Sequence, residues 1–168
     1  MKPRPLTLLG ACLILAGCGG AAHNTTTTTA PKSTVSLNAT AQLEQAIRAA
    51  LQQNARVSDY VLEHNAIPSW AEKSTDGPAL AGMRGSAAQR RTGHITVRVI
   101  SDEVQVRSID LDPSYTTATA DVTERSRVVP YRNGRALGKP VSGHEHAQFE
   151  LHRVGGSTTF VVWKVAAT

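Results

Sequence analysis

The sequence predicts an α+β domain, with N-terminal helices packed on a curved antiparallel sheet of four to six strands. Three observations carry that expectation. Apolar residues recur at helical spacing from about residue 40 to residue 91. From His94 onward the period changes to two. Asn133-Gly134, between two alternating runs, is a strong hairpin signal.

Each element follows from local chemistry. Thr40 is the expected cap of a first helix through Leu43, Ala46, Ile47, Ala50, Leu51 and Asn54, which share one face. Glu44 and Arg48 sit four apart with the acid first, a supporting order. Ser58 is placed to cap a continuation through Tyr60, Val61 and Leu62 that stops before Pro68. A second helix is expected from Pro78 to Arg91, although Gly82 and Gly85 weaken it. Ile95, Val97 and Val99 alternate with polar residues, as do Val104 and Val106. A long strand is expected from Tyr115 to Val129, and another carries Ala147, Phe149 and Leu151 on one face. Phe160 to Val165 is apolar on both faces, which predicts a central strand covered on each side.

The chain has 168 residues, a net charge of +5 and 4% aromatic residues. That length suits one domain. After the N-terminal segment no apolar run reaches the roughly 18 residues that suggest a membrane-spanning helix, so a polytopic membrane protein is excluded. No aromatic residue is interleaved among the arginines, so nucleic acid is not an expected partner.

The first residues read as an address. Lys2 and Arg4 precede a short apolar run from Leu6 to Ala16, the pattern of a secretory signal. Leu15-Ala16-Gly17-Cys18 follows. This closely resembles the lipobox of bacterial lipoproteins. The resemblance implies cleavage after Gly17, lipidation of Cys18 and a location on the extracytoplasmic face of the bacterial cell membrane. Residues 1–17 are then a signal peptide, and residues 18–37 are the lipidated cysteine and a flexible linker containing Thr25 to Thr29. Residues 38–168 form the single domain. Cleavage removes Lys2, Arg4 and Cys12, which lowers the charge from +5 to +3 and leaves Cys18 without a disulfide partner.

Element order and the closing Phe160-Val161-Val162-Trp163-Lys164-Val165 strand make residues 40–166 similar to the NTF2-like, cystatin-like α+β cone. Envelope proteins of GC-rich Gram-positive bacteria often resemble this plan. A lipocalin-like barrel or another α+β sandwich is the alternative. The cone implies a pocket between sheet and helices, and in some relatives that pocket is catalytic. Asp59, Tyr60, Glu63 and His64 lie in the helical half, but no spacing pairs them, and Asp59 and Glu63 read as an exposed helix face.

The most suggestive cluster is His144, His146 and His152. On one strand these share a face with Gln148 and Glu150. Imidazoles two residues apart suit zinc or copper, whereas a solvated polar face carrying histidines is the plain alternative. Arg90-Arg91 and Arg125, Arg127, Arg132 and Arg135 read as patches for anionic lipid heads or wall polymers, or as ordinary solubility charge. Trp163 is expected in the core, and Trp70 over the open end of the cone. There is no Gly-x-Ser-x-Gly elbow and no phosphate loop.

The leading expectation is a non-catalytic, membrane-anchored envelope protein that binds a ligand or partner and needs no cofactor. The rival is a zinc or copper protein, or an enzyme, using His144, His146 and His152. A third expectation is an accessory module for a cell-wall enzyme or transporter supplied by another chain. The sequence leaves oligomeric state open.

Overall fold

The computed structural model describes residues 37–168. The expected signal peptide, Cys18 and nearly all of the linker lie outside the described residues. Helix α1 spans Leu37–His64 and helix α2 spans Gly77–Thr92. The strands are β1 (Ile95–Leu111), β2 (Thr117–Arg132), β3 (Arg135–Ala136), β4 (Val141–Arg153) and β5 (Phe160–Ala167). They form one five-stranded antiparallel sheet in the order β1-β2-β4-β5, with β3 paired to β2. The fold is therefore α+β, two helices with an antiparallel sheet. No described helix is long and apolar enough to cross a membrane.

α1 is one unbroken helix. Its buried residues are Leu43, Ile47, Ala50, Leu51, Asn54, Val57 and Val61, a stripe at three- and four-residue spacing. The helix starts before Thr40, which lies inside it rather than capping it. Asn54 does not end it, because its amide donates to the Thr75 hydroxyl at 2.8 Å and is satisfied in the core. The stripe packs with Ala118, Ala120, Val122, Phe149, Leu151, Phe160 and Val162 of the sheet. A second cluster joins Val57 and Val61 to Ala71, Leu80 and Ala87 around α2.

α1 ends at His64, and the next residue, Asn65, has a left-handed φ of 51°. The Asn65 side chain donates to Ile95 O at 2.6 Å and accepts from Arg90 Nε at 2.9 Å. Arg90 Nη2 donates to Val61 O, and Arg91 Nη1 donates to Asn65 O. The Arg90-Arg91 pair therefore serves the negative carbonyl end of α1. α2 starts at Asp76, which accepts from Gly77 N at 2.7 Å, and has Pro78 in its first turn. Gly82 and Gly85 face open space.

β1 is a single strand of 17 residues, with irregularities between Val99 and Ser101 and between Val106 and Ser108. These shift the alternation and divide one strand into the two short runs read from the sequence. β5 corrects a second expectation. Among the described strands it is an edge strand, paired with β4, and not central. Its apolar character comes from packing: Phe160 and Val162 enter the core, and Trp163 lies over Gly77 of α2. Thr75 makes an isolated parallel bridge to Val162.

Between β1 and β2, the Asp112 carboxylate accepts from Ser114, Thr116 and Thr117. These bonds, the Ser114 hydroxyl first, hold its pKa well below the usual carboxylate range. Asn133 and Gly134 both have positive φ in the tight turn between β2 and β3.

Candidate functional site

Residues opposed across the ladders share a face, so the register defines rows across β1, β2 and β4. On the helix-facing side the first rows are apolar: Leu111–Ala118–Leu151, Ile109–Ala120–Phe149 and Val106–Val122–Ala147. The next row is Val104–Glu124–Glu145, and the one after is Asp102–Ser126–Gly143. The inner face thus changes from apolar to acidic along its length, with carboxylates from three strands.

The C-terminal half of α1 lies beside this acidic end. A groove of about 660 Å³ separates the two, lined on α1 by Gln52, Ala55, Arg56, Asp59 and Glu63 and on β1 by residues 99–104. Glu63 Oε1 accepts from Val99 N at 3.2 Å and ties the helix to the strand beside the first bulge. Asp59, Asp102 and Glu124 are half-buried. Asp59 corrects the expectation of an exposed helix face, because it turns into the groove.

Burial sets the electrostatics. It is the largest influence raising the Asp59 carboxyl to about 6, and the charges of Asp102 and Glu63 add to it. Glu124 is pushed up to about 7 by burial first, then by Asp102, Glu145 and Asp59. Burial also raises Asp102, against a lowering backbone hydrogen bond at Glu103. Asp102 Oδ1 is buried and unpartnered. Among the described residues, no salt bridge reaches any of these carboxylates, and Arg56 is the basic residue lining the groove. Near neutral pH the Asp59 and Glu124 carboxyls are therefore close to their titration range, with Arg56 as the cation on the groove lining.

An aromatic shelf adjoins the groove. Tyr60 stacks on His64 with ring centroids 4.1 Å apart and meets Trp70 edge-on at 6.3 Å. Trp70 lines a neighbouring depression with Asp59, Tyr60 and Glu63. The Tyr60 and His64 singled out in the sequence thus stand near Asp59 and Glu63. Their rings pair with each other, and no hydrogen bond joins them to either carboxylate.

The histidines lie on the opposite face of the sheet. His144, His146 and His152 are opposed to Arg125, Thr123 and Thr117. The His144 and His146 rings are 5.1 Å apart, and His146 Nδ1 is 3.3 Å from the Thr123 hydroxyl. His152 is six residues along the strand, roughly 20 Å away. It pairs with Glu150 Oε1 at 2.8 Å and stacks on Trp163 at 4.7 Å. The structure therefore brings together two of the three candidate ligands. Among the described residues, no group of three or more His, Cys, Asp or Glu is arranged to hold a metal ion.

Comparison with known proteins shows a likeness of fold. No family profile matches the chain, and no curated protein matches it. Among solved structures, the intermembrane space region of the chloroplast protein ARC6 is similar, with a TM-score of 0.60 and 10% identity. The match covers 73% of this chain and 94% of that one. At that identity the likeness is one of fold.

Proposed function

We propose that the chain is a membrane-anchored lipoprotein of the bacterial envelope whose NTF2-like domain is a non-catalytic binding module. In this reading Cys18 carries the lipid on the extracytoplasmic side. The groove between α1 and β1 is the binding cleft, and its ligand presents a cationic group. The observation that carries the reading is the groove, lined by half-buried Asp59 and Asp102 with Glu124 beside them on β2, none of which has a salt-bridge partner among the described residues. Burying unpaired carboxylates is costly, and a ligand cation offsets that cost.

Spermidine is a suitable probe. Titrated into isotopically labelled protein, it is expected to shift backbone resonances at Asp59, Asp102 and Glu124 saturably, and Asp59→Asn/Glu124→Gln should abolish those shifts. Uniform small shifts at every surface carboxylate would count against the groove. The anchor is tested separately by intact mass. The mature protein should begin at a diacylglyceryl-modified Cys18, and Cys18→Ala should stop that maturation.

A further inference from the structure

The two sides of the sheet differ in charge at one end. Where the inner side carries Asp102, Glu124 and Glu145, the outer side carries Arg125 and Arg127 on β2, with His144 and His146 opposed or adjacent on β4. Arg107, at the second β1 bulge, joins them, because its Nε donates to Thr123 Oγ1 at 3.1 Å. Arg107, Arg125, Arg127, His144 and His146 are all exposed. Among the described residues, none of these three arginines has a carboxylate within salt-bridge distance. Glu103, opposed to Arg125, is the acid within this patch; Asp121 lies one row beyond Thr123, and Asp110 and Glu150 flank Thr119 towards the other end of the same face.

We propose that this basic end of the outer face docks on an anionic phospholipid bilayer and so points the acidic groove away from the membrane. Charge complementarity selects the occupant. Arginines on a surface are attracted to anionic headgroups, whereas the groove carboxylates on the reverse side are repelled. Orientation is thereby fixed as well as attraction. The choice of a bilayer over another polyanion rests on the proposed lipid anchor at Cys18.

The test uses the chain from residue 19, which contains the whole compact unit Val35–Thr168 and lacks acyl chains, so that binding reports this face alone. Co-sedimentation is measured with vesicles of phosphatidylcholine containing 30% phosphatidylglycerol and with phosphatidylcholine alone. Binding is expected only to the anionic vesicles, and it should weaken as salt rises. Arg107→Gln/Arg125→Gln/Arg127→Gln is expected to weaken it at least tenfold, since each surface arginine is worth about fivefold. Glu103→Gln should strengthen it, which keeps the test decisive if the triple variant folds poorly. Equal binding to both vesicle types, or no effect of either variant, overturns the proposal. Binding to soluble wall teichoic acid without vesicle binding also overturns it. A failed docking test with a lipidated Cys18 leaves the envelope reading standing, and docking without lipidation removes only the anchor.

Discussion

The imidazole of His152 lies flat against the indole of Trp163, with ring centroids 4.7 Å apart and planes 10° apart. Its Nε2 faces Glu150 Oε1 at 2.8 Å. A ring stacked on one face and hydrogen-bonded at its edge is a packing element and is not placed for shared metal coordination with His144 and His146. Accordingly, His152→Ala is expected to leave a zinc or copper titration unchanged while costing about 0.5–1.5 kcal/mol in stability. His144→Ala/His146→Ala should instead remove whatever histidine-dependent metal uptake the protein has. Calorimetric titration decides the matter, and a tenfold loss of metal affinity in His152→Ala would contradict this assignment.

Trp163 also explains a glycine. Gly77 has a φ of +53°, and a Cβ there would come to 2.6 Å from the indole ring. Gly77→Ala therefore meets both left-handed backbone strain and a clash. The expected loss is about 2–4 kcal/mol by urea denaturation. Gly82, in the same helix, has nothing within 4 Å of its virtual Cβ. Gly82→Ala should raise stability by about 0.5–1 kcal/mol. Equal effects from the two substitutions would contradict both the left-handed backbone at Gly77 and the observed position of Trp163.

How much of this was legible in the sequence varied with the physics of each element. The inner stripe of α1 was readable because burial follows helical spacing. Its length was not, because Asn54 resembles a terminator until Thr75 is seen to satisfy it. The two irregularities in β1 broke the alternation on which a strand is recognised. β5 read as central because the helix covering it is distant in sequence. The histidines could be placed on one face, since a strand has a period of two. Their separation into a near pair and a distant stacked ring depends on Trp163 and on side-chain geometry. The acidic groove was missed for a different reason. Asp102, Glu124 and Glu145 each sit next to residues that suit a solvated strand, and only the register assembles them. An acidic residue at an inward position on each of several adjacent strands is the signal that could have found it.

The groove predicts an unusual pH dependence. Glu124 rises to about 7 and Asp59 to about 6 in the folded chain, above the ordinary carboxylate value near 4. For a carboxyl raised by folding, the native state binds the proton more tightly. The resulting stability is fully present below about pH 4 and is lost as pH rises through 6 to 7. Considered alone, these groups make the protein less stable at pH 8 than at pH 5. Glu124→Gln should therefore stabilise the protein at pH 8, by about 1 kcal/mol once solvent screening is allowed for. It should also flatten the slope of melting temperature against pH between 5 and 8. A variant with lower stability at pH 8 would show that Glu124 is compensated by a partner in the fold.

The Asn54–Thr75 hydrogen bond separates a stabilising contact from an avoided penalty. Asn54 is 5% exposed and Thr75 is fully buried, and their side chains meet at 2.8 Å. The bond links α1 to the segment that bridges β5, where Asp76 N donates to Val162 O and Val162 N donates to Ser74 O. Replacing Thr75 with valine removes the acceptor and strands a buried amide, at an expected cost of about 1–3 kcal/mol. Asn54→Leu/Thr75→Val removes both polar groups, so it should recover most of that loss. A double-mutant cycle measured by denaturant unfolding gives the coupling directly. A double variant as unstable as the sum of the single variants would mean that the bond contributes nothing, and that shape alone holds α1 against the segment leading into α2.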